Sequence, residues 1–162
     1  MLVVLRGKPL DILNSGRALL LIVVANSAAW AAGRVLRARW AAPLDFGCVL
    51  RDGERLFGSH KTWRGVVAGV LACALAAQLS GIAWTIGAGF GVASLLGDAA
   101  SSAIKRRLQL SPGIEVLGLD QVPEALLPLA IFAPLLGLGV IHVAIVVVTF
   151  VVLDVLVTRL RH

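Results

Sequence analysis

Long apolar stretches separated by short polar segments dominate the chain. Apolar runs cover roughly residues 17–33, 65–81 and 82–104, and a fourth covers about 124–158. Because about 17 to 25 apolar residues cross a bilayer as a helix, the fourth run is too long for one span, and we divide it at Gly137 and Gly139. The pattern predicts an all-α integral membrane protein with about five transmembrane helices, of which the fourth is short enough to be re-entrant instead.

The composition agrees with this fold class. The chain has 162 residues, of which 59% are hydrophobic and 15% are charged, and its mean hydropathy is +0.92. These values lie outside the range of soluble globular domains. We therefore expect residues 1–162 to form a single transmembrane domain.

The positions of the cations predict the orientation. Residues 34–64 contain seven Lys and Arg, 105–107 contain three, the last four residues before the terminal histidine contain two, and three precede the first span. With the N-terminus outside and the C-terminus in the cytoplasm, about twelve of the fifteen cations are cytoplasmic, as the positive-inside rule requires. Residues 34–64 and 105–119 are then cytoplasmic loops of a protein in the cell membrane. Clusters beside apolar runs favour an anionic membrane surface over nucleic acid as the reason for the net charge of +6.

The first polar cluster is "GDAASSAIKRR" at 97–107, at the end of the third span. Asp98, Ser102 and Lys105 have the spacing i, i+4, i+7, which places them on one helical face, and Arg106 and Arg107 follow. An ionisable group inside a span is costly and typically marks a functional cavity. The alternative is that Asp98 pairs with Lys105 or with a neighbouring helix, and that the cations are membrane anchors.

The second cluster is "GLDQVPE" at 118–124, where Asp120 precedes the next apolar run. The ends of two successive helices would bring Asp98 and Asp120 together across a short loop. Mg²⁺ is commonly bound by one or two carboxylates together with substrate phosphates, so the pair is a candidate metal site. Asp120 is equally well explained as the N-cap of the following helix.

The third cluster is "FGSHKTWRGVVAG" at 57–69. Lys61, Thr62 and Arg64 lie at a helix start, where backbone N–H groups and the helix dipole favour anions. This indicates a phosphate-binding corner with His60 beside it. The alternative is a basic interfacial loop with Trp63 in the aromatic belt.

The predicted topology brings all three clusters to the cytoplasmic face, within an active-site region of about residues 57–124. Cations and helix ends that neutralise a polyphosphate, together with carboxylates that bind a metal, are the groups used in phosphoryl or nucleotidyl transfer. The function predicted from the residues is therefore phosphate chemistry at a membrane surface.

The same motifs identify a family resemblance. "HKTWRG" at 60–65, "GDAASSAIKRR" at 97–107 and "LDQ" at 119–121 resemble the membrane CTP:lipid-phosphate cytidylyltransferases, most closely the CDP-archaeol synthase branch, over about residues 45 to 140. The resemblance implies a transferase that forms a CDP-activated lipid and pyrophosphate from CTP and a lipid phosphate, with Mg²⁺ as cofactor. It implies that Asp98 and Asp120 bind Mg²⁺ and act in catalysis with Lys105. CTP and phosphate would be bound by seven residues: Lys61, Thr62, Arg64, Ser102, Lys105, Arg106 and Arg107.

Two places depart from the family pattern, and the first is residues 59–60, which read SH where the family tends toward GD. Val122, Pro123 and Glu124 follow LDQ, whereas the family often has an aspartate where this chain has Pro123. Glu124 comes one residue later, about 100 degrees further round a helix. This departure supports the alternative of a catalytically degenerate relative that binds lipid head groups or is a small transport or scaffold subunit. The sequence leaves open whether the lipid is an isoprenoid glycerol phosphate or phosphatidate, and whether the chain forms a homodimer.

Overall fold

The described part of the chain is entirely helical apart from loops. A computed structural model describes residues 12–111 and 114–161, and these contain five helices and no β-sheet. The helices are α1 (Ile12–Leu36), α2 (Trp63–Leu79), α3 (Trp84–Arg107), α4 (Gln121–Phe132) and α5 (Val140–Arg161). The prediction of an all-α fold is confirmed.

The helix boundaries agree with the apolar runs, with two informative differences. The fourth run is divided where the glycines predicted, because α4 ends at Phe132 and Gly137 adopts a φ of +69° before α5 begins. The third helix continues to Arg107, three residues beyond the predicted end at 104. The cations at 105–107 therefore lie on the last turn of α3 rather than in the predicted loop 105–119, of which residues 112 and 113 lie outside the described residues.

Small residues allow the helices to pack closely in chain order. α2 packs against both α1 and α3, α3 packs against α4, and α5 lies against α1 and α4. A side chain at Gly69 would lie 2.6 Å from the carbonyl oxygen of Ala25 in α1, and one at Gly87 would lie 2.3 Å from Cβ of Ala77 in α2. Such close backbone approach between helices is typical of packing in membranes, where the hydrophobic effect does not drive association.

The interior and the exterior of this bundle are both apolar. Leu21, Phe90 and Leu129 are fully buried between the helices, while Leu71 and Val148 are 64% and 62% exposed on outward faces. α1 and α5 are long and apolar enough to cross a membrane, whereas α2 and α4 have 17 and 12 residues. An apolar outer surface of this extent is the surface expected of a membrane protein.

A folded loop between α1 and α2 covers the end of the bundle where α2 begins and α3 ends. Asp45 is the centre of this loop, and its carboxylate accepts hydrogen bonds from the Arg55 guanidinium and from the backbone N–H groups of Gly47, Phe57 and Gly58. Burial raises the pKa of Asp45, but the lowering by these four hydrogen bonds together is larger, so the pKa falls from 3.8 to about 2. The loop is thus held in one conformation next to the polar clusters.

Candidate active site

Two lysine–carboxylate ion pairs connect the three polar clusters. Lys61 Nζ lies 2.5 Å from Asp98 Oδ2, which joins the segment that precedes α2 to α3. Lys105 Nζ lies 2.6 Å from Asp120 Oδ1, which joins the end of α3 to the start of α4. Asp98 therefore pairs with a neighbouring segment and not with Lys105 on its own helix. The two carboxylates that the sequence singled out are brought together with the two lysines.

The close approach of α3 and α4 places Asp98 beside the start of α4. A side chain at Gly97 would lie 2.2 Å from the carbonyl oxygen of Pro123 and 2.9 Å from Cα of Glu124, so the backbones touch at this position. Pro123 is in the first turn of α4, where a missing N–H removes no helical hydrogen bond. The residue that departs from the family pattern is thus part of the helix crossing.

A buried polar chain fixes this crossing. Pro128 lies inside α4 and has no N–H to offer the carbonyl of Glu124 four residues earlier. The Ser94 hydroxyl of α3 donates to that carbonyl oxygen at 3.1 Å, and Asn26 Nδ2 of α1 donates to Ser94 Oγ at 3.0 Å. The hydrogen bond that proline removes from α4 is therefore replaced by one from α3, which sets the depth at which the two helices meet.

The carboxylate of Asp120 does not cap α4. Asp120 occupies the N-cap position, yet its backbone is helical, with φ −80° and ψ −50°, and its side chain makes no capping hydrogen bond. Instead Oδ2 accepts from the backbone N–H of Val116 at 2.9 Å, while Oδ1 faces Lys105. Of the two explanations considered for Asp120, the arrangement favours a role in the site over a role as a cap.

The cationic face of α3 is more deeply buried than the sequence indicated. Ser102 is 5% exposed, Lys105 is 9% exposed and Arg106 is only 2% exposed. Within the described part of the chain, Arg106 Nε and Nη1 have no hydrogen-bond partner. A buried guanidinium without a partner is costly, so these two nitrogens keep a hydrogen-bonding capacity that an anion could satisfy.

The charged residues of the candidate site also act on the pKa of His60. Burial and the positive charges of Lys61, Arg106 and Lys105 lower the pKa of His60, against the opposing effect of Asp98. All four charged groups are therefore close enough to act on one imidazole. Three of these four groups are cations, so positive charge predominates around His60.

Two of the predicted phosphate-binding residues, Arg64 and Arg107, contact loop atoms, and a third, Thr62, does not cap α2 through its side chain. Arg64 Nη1 donates to the carbonyl oxygens of Arg37 and Arg39, after the end of α1. Arg107 Nε lies 3.1 Å from Asp52 Oδ2, and Nη2 donates to the carbonyl oxygen of Arg55 at 2.8 Å. Thr62 is the extended residue before α2, and its side chain makes no capping hydrogen bond. Arg64 and Arg107 thus hold the loops around the site.

The donor set fits a metal that arrives with a substrate. Among residues 12–111 and 114–161, no group of three or more His, Cys, Asp or Glu could hold a metal ion on its own. Asp98 and Asp120 are two hard oxygen donors, and one or two carboxylates completed by phosphate oxygens and water are the usual ligands of Mg²⁺. Asp98 and Asp120 are therefore the residues that fit Mg²⁺ together with substrate phosphates.

Two further acids border the site. Asp154 of α5 accepts a hydrogen bond from Gln121 Nε2 at 2.8 Å, and Glu124 lies within electrostatic range of Asp98, Asp154, Lys61 and Asp120. Asp154 was missed by the sequence reasoning, although an acid within an apolar run was the signal that identified Asp98. Its distance along the chain from the other motifs hid its connection to them.

Comparisons with known proteins agree on one family. The model of the CarS-like family, described as CDP-archaeol synthase, matches residues 11–89 and 83–161. The chain is 35% identical over 153 residues to the CDP-archaeol synthase of Thermofilum pendens, covering 86% of this chain and 73% of that protein. It is 39% identical over 89 residues to that of Pyrococcus furiosus, an alignment that spans 49% of this chain and about half, 53%, of the relative.

One solved structure is also similar. It is described as an intramembrane enzyme for archaeal membrane lipid biosynthesis, and it matches with a TM-score of 0.75 and 30% sequence identity. The match covers 92% of this chain and 95% of the solved chain. The helical arrangement of this chain is therefore similar to that of the solved enzyme.

Proposed function

The chain belongs to the CDP-archaeol synthase family, and from this premise we propose that it is a CTP-dependent cytidylyltransferase acting on a lipid phosphate. An oxygen of the lipid phosphate attacks the α-phosphorus of CTP, the bond between the α- and β-phosphates breaks, and pyrophosphate leaves. The product is a CDP-activated lipid. The non-catalytic alternative has no comparable support, because the curated relatives are enzymes.

The observation that carries this proposal is the combination of two lysine-paired carboxylates with a buried, partly unpaired arginine. Lys61 and Lys105 each neutralise one carboxylate, and Arg106 keeps two N–H groups without a partner. The phosphates of CTP bring charge that competes with Asp98 and Asp120 for the lysines. Positioning and charge neutralisation of this kind account for most of the catalysis in phosphoryl-type transfer.

Asp98 and Asp120 are the residues that would hold Mg²⁺. The metal would neutralise charge on the triphosphate and on the leaving pyrophosphate. Lys61, Ser102, Lys105 and Arg106 would contact phosphate oxygens directly. Thr62, Arg64 and Arg107 would act at the edge of the site, with the two arginines holding the loops in the positions that their contacts indicate.

The topology completes the proposal. We propose five spans with the N-terminus outside, cytoplasmic loops between α1 and α2 and between α3 and α4, and an active-site region at about 57–124 that faces the cytoplasm. Support comes from the start of α2, the end of α3 and the start of α4, which meet through the two ion pairs. A site at this end receives CTP from the cytoplasm and the lipid phosphate from the bilayer.

The direct test is an assay of purified protein with labelled CTP, Mg²⁺ and a panel of lipid phosphates. We expect a labelled CDP-lipid and pyrophosphate, with the isoprenoid glycerol phosphate preferred over phosphatidate. Asp98→Asn and Asp120→Asn should abolish turnover, and CTP with Mg²⁺ should raise the unfolding temperature of the wild type by ligand linkage.

Glu115→Gln is the matched control, because it neutralises an exposed acid in the same loop as Asp120. It should leave turnover unchanged. A wild-type protein that turns over no lipid phosphate and gains no stability from CTP would contradict the proposed function.

A further inference from the structure

Asp154 is an acidic residue in a helix that is otherwise strongly apolar. It lies in α5, Val140–Arg161, one of the two helices long and apolar enough to cross a membrane. The side chain is directed to the bundle, since Asp154 Oδ2 accepts a hydrogen bond from Gln121 Nε2 at 2.8 Å. An ionisable residue retained in such a helix typically serves a partner inside the protein.

The partner, Gln121, transmits this contact to the loop before α4. Gln121 is 3% exposed, and its Oε1 accepts from the backbone N–H of Gly118 at 2.7 Å. The two ends of the amide are therefore both occupied, one by α5 and one by the loop. Removal of the acceptor on α5 would leave a buried donor unpaired and release the orientation of the amide.

Gly118 belongs to the turn that aims the Asp120 carboxylate. Gly118 has a φ of +82°, a conformation that L side chains rarely adopt. In the same turn the Val116 N–H donates to Asp120 Oδ2 at 2.9 Å, and the Gly118 carbonyl accepts from the Val122 N–H at 3.0 Å. The hydrogen bonds from α5 thus reach Gly118, and the backbone of the turn connects Gly118 to Val116 and to Asp120, whose carboxylate faces Lys105.

We propose that Asp154 is a positioning residue of the active site, which fixes Gln121 and through it the turn from Val116 to Asp120. The inference rests on the proposed function for its catalytic consequence, while the contact itself is independent of it. Asp154 touches no reacting atom in this arrangement. Its effect is to hold the Asp120 carboxylate in the orientation in which it binds metal with the nucleotide, as outer residues do at other metal sites.

The test compares Asp154→Asn with Asp154→Leu. Asparagine keeps an oxygen that accepts from Gln121 Nε2, so Asp154→Asn should retain near wild-type activity. Asp154→Leu removes the acceptor, and the Mg²⁺ concentration for half-maximal rate should rise about tenfold or more, while the KM for the lipid stays unchanged. Leu156→Val, at a half-exposed position of the same helix, is the control for substitutions in α5.

A second measurement does not need turnover. Hydrogen exchange of the segment 114–122 should become faster in Asp154→Leu and remain as in the wild type in Asp154→Asn and Leu156→Val. Gln121→Leu combined with Asp154→Leu should add little to either single change, because both break the same chain of contacts.

The outcomes separate the two proposals. Inactive wild-type protein would defeat the proposed function, while the exchange comparison would still decide whether Asp154 holds the turn. Unchanged Mg²⁺ dependence and unchanged exchange in a folded Asp154→Leu protein would overturn the positioning role. An Asp154→Asn protein with the same change in Mg²⁺ dependence as Asp154→Leu would also overturn it, since the acceptor oxygen would then be irrelevant.

Discussion

Replacing Gly97 by alanine should disable the site without touching a charged residue. The added Cβ would lie 2.2 Å from the carbonyl oxygen of Pro123 and 2.6 Å from its carbonyl carbon, where ordinary contacts begin near 3.4 Å. Both are backbone atoms, so α3 and α4 must separate by about 1 Å, and a displacement of that size at reacting groups costs about a hundredfold in rate. Overpacking of this kind also destabilises a protein by about 1–3 kcal/mol. We therefore expect kcat/KM for CTP to fall by about two orders of magnitude.

Two matched glycine variants separate misplacement from instability. In Gly87→Ala the new Cβ would lie 2.3 Å from Cβ of Ala77, which stresses the contact between α2 and α3 at a position eleven residues before Asp98. This variant should unfold at a lower temperature but keep its activity per folded molecule. In Gly33→Ala nothing lies within 4 Å of the new Cβ, so neither quantity should fall. The reasoning is refuted by a folded Gly97→Ala protein with the kcat/KM of the wild type.

Three further changes test the charges. Arg106→Met removes a buried cation with unpaired N–H groups, so the unfolding temperature without ligand should stay level or rise. A thermal-shift measurement should also show that CTP no longer raises the unfolding temperature of this variant. Lys105→Met leaves the Asp120 carboxylate without its cation and should lower the free energy of unfolding by about 1–3 kcal/mol. Adding Asp120→Leu should restore part of that free energy but not turnover, because the Val116 N–H then loses its acceptor. A Lys105→Met protein of wild-type stability would contradict this. The pKa of Asp45 is lowered from 3.8 to about 2, so the ionised carboxylate contributes its full stabilisation above pH 3.8 and loses it as the pH falls toward 2. Asp45→Asn should remove this loss from a plot of unfolding free energy against pH. An unchanged plot would contradict the reasoning.

Most of the fold was predictable because hydrophobic length and helix-breaking residues are local properties. The run at 124–158 was too long for one span, and Gly137, where the division was predicted, lies in the connection between α4 and α5. The end of α3 was predicted too early because Lys105 to Arg107 were assigned to the loop by their charge. Charge indicates where solvent or a ligand is accessible, but it does not by itself end a helix.

The sequence identified the three polar clusters, but it did not predict which charged residues pair with each other. Spacing on a single helix could place Asp98 and Lys105 on one face, which made a pair within α3 conceivable. The structure instead pairs each carboxylate with a lysine of another segment. Such a choice depends on where neighbouring helices cross, and the crossing at Gly97 and Pro123 involves residues 26 positions apart in the chain.

The sequence by itself determined the helical membrane character and the family, and it identified the three polar clusters of the candidate site, because these follow from composition, from periodicity and from short motifs. Tertiary structure alone decided that Asp120 faces Lys105 rather than capping α4, that Arg106 is buried with unpaired N–H groups, and that Asp154 reaches the site through Gln121. The physical reason is that pairing and burial of a charged group depend on the neighbours that packing supplies, and those neighbours come from helices distant in the chain.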